Sequence, residues 1–320
     1  MHFEGCEHQI LVPHSCGNRH CPHCQHHESQ QWLERQVAKQ VPAEYFLLTF
    51  TLPAELRALS WAHQKPIYDL LMRASWETVQ TFSQNDKKLK GTPGAIAVLH
   101  TNTRRLDYHP HVHLVMPAAV IDTKRKLWRT KQGAGGYLFS HKALAKVFRA
   151  KILAGIAAAG LKPPARFPKA RNVDCKSVDT GEKALICLGR YLYRGVIREK
   201  DIVACGNGQV RFRFRNAKTA KMEVRTVSGA HFVWLVLQHV LPNGLRRARN
   251  FGFLHPNCKR LIALLHVLLK LLPPQIAAAI KQRPPILCPC CGAVMKIVQT
   301  CVRPVLVPIP VAEQGSLFTV

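Results

Sequence analysis

Between Pro42 and Pro53 the chain runs Tyr45-Phe-Leu-Leu-Thr-Phe-Thr-Leu52. Aromatic, aliphatic and β-branched residues bounded by two prolines predict a strand. Alternation puts Phe46, Leu48, Phe50 and Leu52 on one face and Leu47, Thr49 and Thr51 on the other. Ala95 to His100 and His111 to Met116 predict two more strands, joined through a turn around Arg105–Asp107 into a hairpin. Val210-Arg-Phe-Arg-Phe-Arg215 and Met222-Glu-Val-Arg-Thr-Val227 alternate with period two and predict a basic hairpin.

Helical spacing appears between these runs. Helices are expected over Glu28 to Gln40, over Pro66 to Phe82 with proline early, and from Thr180 to Arg194, closed by Gly195. Leu144, Phe148, Ile152 and Ile156 share one helical face, with Ser140 as the expected N-cap and Gly160 as the stop. Phe232 to Val240 and Asn257 to Leu272 complete the set, and proline-bearing Lys162 to Ala170 reads as a connector. The expected class is α+β with an antiparallel central sheet.

Charge narrows the partners. Lys plus Arg is 46 and Asp plus Glu is 18, a net charge of +28 over 320 residues. That excess favours a polyanion, most simply nucleic acid, over the competing reading of an anionic membrane surface. The longest apolar run, Leu261 to Leu272, contains His266 and Lys270 and precedes Pro273; a span needs about 20 apolar residues. His2 to His8 is mostly polar, so no signal peptide is read there, and a cytoplasmic setting is expected.

Twelve cysteines without a secretory signal point to metal rather than disulfides. Cys6, Cys16, Cys21 and Cys24 can supply four thiolates to a closed, structural zinc site, with His8, His14 and His20 as alternative ligands. Cys288, Cys290 and Cys291 could form half of a second site with Cys258 or Cys301, or stay as plain thiols. His109-Pro-His111-Val-His113 places three imidazoles on one strand face, where two can grip a divalent ion; taken alone, such a pair is more often coincidence than a ligand set. Tyr191 lies on an expected helix, where most tyrosines simply pack.

Basic residues interleaved with aromatics are candidate DNA contacts: Lys124, Arg125, Lys126 and Trp128; Arg211, Arg213 and Arg215, opposite Phe212 and Phe214; and Arg246, Arg247 and Arg249. The competing reading is a solvated face with a core face behind it, and for the Arg211 strand both hold.

These features occur together and in order. Ser15-Cys-Gly-Asn-Arg-His-Cys-Pro-His-Cys24, Tyr45 to Pro53, His109-Pro-His-Val-His-Leu-Val115, Leu188-Gly-Arg-Tyr-Leu-Tyr-Arg-Gly-Val196 and Phe251-Gly-Phe-Leu-His-Pro256 resemble the rolling-circle HUH transposases of bacterial insertion sequences, the IS91 family. The resemblance covers roughly residues 6 to 292. It implies a replication-initiator- or relaxase-like nuclease domain with an N-terminal zinc module and a basic C-terminal part. It also implies that His111 and His113 hold Mg²⁺ or Mn²⁺; His100 and His109 are the candidates for a third ligand, each as readily a structural histidine. Tyr191 would then attack the scissile phosphate, leaving a 5′-phosphotyrosine and a free 3′-OH. The cation neutralises charge developing on the phosphate, and the covalent link makes strand joining independent of ATP. A plasmid replication initiator or relaxase shares this chemistry, and a non-catalytic zinc protein that binds nucleic acid is the competing class.

The expected organisation is a zinc module over 1–28, an HUH domain over 29–200, a basic hairpin with helices over 201–285, and a Cys-containing, Pro-rich tail over 286–320. Expected partners are single-stranded or hairpin DNA at element ends and target DNA, in the bacterial nucleoid, with homo-oligomerisation open. Two departures from the family pattern stand out. Many relatives carry two tyrosines one helical turn apart; here Cys187 occupies the first position, and Tyr193, about 200° around the helix from Tyr191, points elsewhere. The zinc module usually has a further cysteine where this chain has Phe3, which reads as an N-terminal truncation or a late start, with His2 or His8 as substitutes.

Overall fold

In the computed structural model the proline-bounded run forms β1 (Tyr45–Thr51), inside a seven-stranded antiparallel sheet. The structure describes residues 9–10, 25–122, 124–125, 127–132, 136–163, 173–193, 196–217, 219–271 and 286–296. The expected hairpin is β2 (Thr92–Asn102) with β3 (Tyr108–Pro117), and β3 lies between β2 and β1. β4 (Ala119–Asp122), β5 (Leu127–Thr130), β6 (Val173–Ser177) and β10 (Ala248–Gly252) extend the sheet. The order is β5-β4-β2-β3-β1-β6, with β10 also paired to β2.

Both faces of this sheet are covered, and the side chains sort by the two-residue period. On one face Phe46, Leu48, Phe50, Leu99, Val112 and Leu114 are buried with residues of α3 (Gln64–Asn85) and α4 (His141–Ala158). The helical row Leu144, Phe148, Ile152 and Ile156 meets this face as its spacing predicts. Ser140 does precede α4, but its side chain makes no capping hydrogen bond, so the expected N-cap is positional only. Gly160 (φ +69°) lies just beyond the helix end. On the other face Tyr45, Ile96, Val98 and Val115 are buried with Trp32 of α1 (Gln25–Val37), Leu185, Leu188 and Leu192 of α5 (Glu182–Tyr193), and Ile262 and Leu265 of α7 (Lys259–Leu268). The result is a helix–sheet–helix sandwich of α+β type, and each fully buried Phe or Leu contributes about 1.5–3 kcal/mol of transfer free energy.

The basic hairpin is present as β8 (Gln209–Arg215) and β9 (Met222–Ser228), joined on one side by β7 (Ile202–Gly206) and followed by α6 (Gly229–Leu237). Phe212 and Phe214 are buried while Arg211, Arg213 and Arg215 face out, as the alternation predicts. Leu106, from the β2–β3 turn, belongs to the same small core as Phe212, Phe214 and Leu235. α2 (Arg57–Ala62), a one-and-a-half-turn helix ahead of α3, was not foreseen.

Residues Ser15–Ala278 form one compact unit, and Met1–His14 with Ala279–Val320 form another. In the second unit, Leu287 and Val294 make an isolated antiparallel bridge around Cys288-Pro-Cys-Cys-Gly292; Cys288 is buried, and Cys290 and Cys291 are exposed. Among the described residues no helix is long and apolar enough to cross a membrane.

One glycine holds the edge of the main sheet. Gly252 ends β10 at φ +58°, and a Cβ there would stand 1.7 Å from the Pro93 carbonyl oxygen. Backbone cannot yield as a side-chain tip can. Gly252→Ala is therefore expected to cost about 2–4 kcal/mol of unfolding free energy, read as a lower urea midpoint at unchanged slope; a midpoint equal to wild type would refute this account.

Candidate active site

The period of β3 sends Val112 and Leu114 into the α3/α4 core and turns His111 and His113 to the face covered by α5. Pairing then brings in a third imidazole: His100 of β2 stands opposite His111 in the antiparallel register. The His100 ring centre lies 5.1 Å from that of His111 and 4.3 Å from that of His113, and His111 and His113 are 5.0 Å apart. One ring nitrogen from each of the three falls within 4.8 Å of the others.

Hydrogen bonds orient these rings. His111 Nδ1 lies 2.6 Å from the His109 carbonyl oxygen. A carbonyl only accepts, so Nδ1 carries the proton and Nε2 keeps its lone pair for a metal. His113 Nδ1 shares a 3.2 Å hydrogen bond with Thr49 Oγ1 from β1. His100 Nε2 is buried with no hydrogen-bond partner. Burial, with mutual repulsion among the three, holds His100 well below the ordinary histidine range. Burial, then His113, lowers His111 to about 3, and burial lowers His113 to about 4. All three are therefore neutral imidazoles at physiological pH, the form that ligates a divalent ion. The orphaned nitrogen and the all-imidazole donor set fit such an ion.

His109 shares the strand face but turns elsewhere. Its Nδ1 accepts a 2.9 Å hydrogen bond from Arg57 Nη2 of α2, and burial followed by Arg57 lowers its basicity. Of the two third-ligand candidates, the structure gathers His100 with the pair and leaves His109 outside the cluster.

Tyr191 of α5 packs directly on the triad. Its ring stacks on His100 with centres 3.3 Å apart and planes 11° off parallel. Arg247 holds its guanidinium carbon 4.3 Å from the same ring, and at these distances the two groups must occupy opposite faces. The Tyr191 hydroxyl donates to Asn102 Oδ1 at 2.5 Å and accepts from the Thr101 N–H at 3.3 Å. Arg247 is fixed in turn by the carbonyls of Leu99 (3.2 Å) and Leu192 (3.4 Å). Helix α5 approaches closely because Gly189 lies against the Trp32 ring, and Ser29 donates to the Gly189 carbonyl at 3.1 Å. Cys187 is exposed on the same helix.

The basic candidates are spread over the surface. Lys124 and Arg125 lie in the β4–β5 turn, and Trp128 packs edge-on against Phe253, 5.7 Å between centres. Arg213 pairs with Asp201 at 3.2 Å, and Arg249 pairs with Asp69 of α3. Arg246 and Arg249 line a groove of about 1200 Å³ with Arg35, Lys39 and Lys259. Burial, Lys259 and Arg35 together push the Lys39 ammonium below the usual lysine range. Cys6, Cys16, Cys21, Cys24 and Lys126 lie outside the described residues. Sequence reading missed Thr49, Arg57 and Asn102; only the strand register, which sets residues side by side across strands, could have pointed to them.

Comparison with known proteins places the chain in a family. Residues 94–261 match the family described as "Putative transposase", and residues 1–52 match the transposase zinc-binding domain. This chain belongs to that transposase family, the one of IS91-type insertion sequences. It is 32% identical over 279 residues to "Putative transposase y4qJ" of Sinorhizobium fredii, covering 79% of this chain and 70% of that protein. It is 26% identical over 323 residues to the transposase for insertion sequence element IS801 of Pseudomonas savastanoi pv. phaseolicola, covering 91% and 76% respectively. Among solved structures, the metal-bound conjugative relaxase TrwC in complex with oriT DNA aligns over 41% of this chain and 49% of that chain, at 17% identity and a TM-score of 0.32. That overlap is too shallow to bear on the site.

The depressed histidines carry a pH signature. Below the unfolded value near 6.5, the unfolded chain takes up protons that His111 and His113 refuse until about 3 and 4. Stability is thus complete above about pH 6.5 and falls as pH drops, by about 2 kcal/mol for each of the two between pH 6.5 and 5. Urea unfolding without added divalent ion should show this loss, and a His111→Gln/His113→Gln variant should show a clearly flatter profile; equal slopes would contradict the burial argument.

Proposed function

We propose that this transposase cuts and rejoins single-stranded DNA at the ends of its own element through a 5′-phosphotyrosine on Tyr191. The observation that carries this reading is a tyrosine hydroxyl held beside three neutral, converging imidazoles. In the cutting step the Tyr191 oxygen forms a bond to phosphorus, the bond from phosphorus to the 3′-oxygen breaks, and the 3′-oxygen leaves with a proton as a free 3′-OH. Rejoining reverses the exchange with another 3′-OH, so the phosphodiester is conserved and ATP is not consumed.

His100, His111 and His113 would hold Mn²⁺ or Mg²⁺, and imidazole donors favour Mn²⁺ of the two. Bound there, the ion supplies neutralising charge to the scissile phosphate. The chain's own residues do the rest. Asn102 and the Thr101 N–H aim the Tyr191 oxygen, and the ring is clamped between His100 and Arg247. Positioning of this kind removes orientational freedom before the reaction begins. Arg247 also holds a fixed positive charge over the tyrosine ring, the side chain whose oxygen must become nucleophilic. In this reading a single tyrosine suffices, with Cys187 exposed and without a part in the exchange.

Cys6, Cys16, Cys21 and Cys24 would close a structural zinc site, in keeping with the family match over 1–52. Arg211, Arg213 and Arg215, Arg246 and Arg249, and the stretch Lys124 to Trp128 are proposed DNA contacts, served by the net charge of +28. DNA at element ends, hairpins among it, and target DNA would be the partners, in the cytoplasm.

The test is a denaturing gel of the zinc-loaded protein incubated with labelled single-stranded DNA spanning an element end, plus Mn²⁺. A DNA-shifted protein band is expected, absent for Tyr191→Phe and absent with EDTA. No band from the wild type, with salt-sensitive DNA binding intact, would overturn the catalytic reading and leave a DNA-binding remnant.

A further inference from the structure

Of the five tryptophans, three are used inside the protein: Trp32 is buried, Trp76 stacks on Phe251, and Trp128 packs on Phe253. The other two face solvent together. Trp61 of α2 is 38% exposed and Trp234 of α6 is 50% exposed, with ring centres 5.2 Å apart and planes at 66°. Trp61 also meets the ring of Tyr108 edge-on at 5.4 Å. Tyr108 is anchored by hydrogen bonds from its hydroxyl to Ser60 (3.0 Å) and Tyr68 (2.7 Å).

This pair adjoins the histidine row. Tyr108 and His109 are consecutive in β3, and the His109 ring centre is 5.2 Å from that of His111. Arg57 and Trp61 stand four residues apart on α2 and so share a helix face. Along that face Arg57 meets His109 while Trp61 meets Tyr108. Arg57 is also short of partners: its Nε is buried with no hydrogen-bond partner, and among the described residues no carboxylate pairs with it. A guanidinium with spare donors invites an anion.

We infer that Arg57 with the Trp61–Trp234 pair forms a binding track for an unpaired DNA strand leading away from the histidine triad, Arg57 taking a backbone phosphate and the two indoles stacking on a base. The inference rests on the proposed single-strand chemistry. Continuity with the triad and the unmatched guanidinium favour DNA over a second copy of the chain as the occupant. Stacking is indifferent to base identity, so the track binds unpaired strands generally and duplex poorly, since paired bases hide their faces.

The test compares two fluorescein-labelled strands of about 15 nucleotides, near the upper site size of single-strand binders. One is oligo(dT); the other is an abasic strand with the same phosphates and no bases. Anisotropy titrations use the zinc-loaded full chain without added divalent ion, so that no strand transfer is needed. Trp61→Ala and Trp234→Ala are each expected to weaken oligo(dT) binding about 5- to 100-fold and to leave the abasic strand within about two-fold. Phe at either position should recover most of the loss, which guards against a folding defect. Arg57→Gln should weaken both strands and lower the salt slope by about one.

Unchanged oligo(dT) affinity in the tryptophan variants, or equal losses on both strands, overturns the track. So does a shift from dimer to monomer on sedimentation with unaltered DNA affinity, which would assign the pair to a protein interface. An adduct on Tyr191 alongside normal binding by the tryptophan variants would sink the track and leave the tyrosine reading standing. The converse pattern would sink only the chemistry.

Discussion

The position of β3 in the middle of the sheet is the constraint on which the site depends. With β1 on one side and β2 on the other, its register is fixed along its whole length. A slip of one residue would drive His111 and His113 into the α3/α4 core and carry Val112 and Leu114 out of it, breaking up several packed side chains at once. The hydrophobic face therefore sets where the polar face stands. Thr49 and His100 reach the pair only because their own strands are locked to β3 in this register.

Tyr191 depends on a second, weaker set of constraints. Helix α5 lies on the polar face of the sheet, and its approach is set by Gly189 against Trp32 and by the buried row Leu185, Leu188 and Leu192. Arg247 ties the two systems together, since it bonds to a carbonyl of β2 and to one of α5 while covering the tyrosine ring. The local physics of this junction is distinctive: three basic nitrogens kept unprotonated by burial beside one hydroxyl that donates to Asn102.

Much of this was legible before any coordinates. β1, the β2–β3 hairpin, the β8–β9 hairpin and the major helices announce themselves through local periodicity, and the His111/His113 pair follows from alternation alone. What stayed hidden was non-local. β6 (Val-Asp-Cys-Lys-Ser) and β10 (Ala-Arg-Asn-Phe-Gly) carry too little apolar alternation to stand out, and each is a strand only because an edge elsewhere accepts it. The choice of His100 over His109 depended on hairpin register and on Arg57, neither written in the spacing. In Lys124 to Arg129 the spacing shows a tryptophan among cations but not the Phe253 ring against which Trp128 packs edge-on.

The small sheet and the segment after α6 grip the tip of the β2–β3 hairpin. Gln238 and His239 both donate to the carbonyl of Leu106, which sits at φ +68° with its side chain in the small core. Arg225 spans the same turn, bonding to the Arg105 carbonyl and to Asp107. The turn therefore has little conformation of its own; chain made more than a hundred residues later completes it. Folding order is the consequence. On a ribosome, which releases the chain from its N-terminus, the strand bearing His109 and His111 can reach its final anchorage only after α6 has emerged. A histidine cluster held in this way stays unfinished until most of its own message has been read.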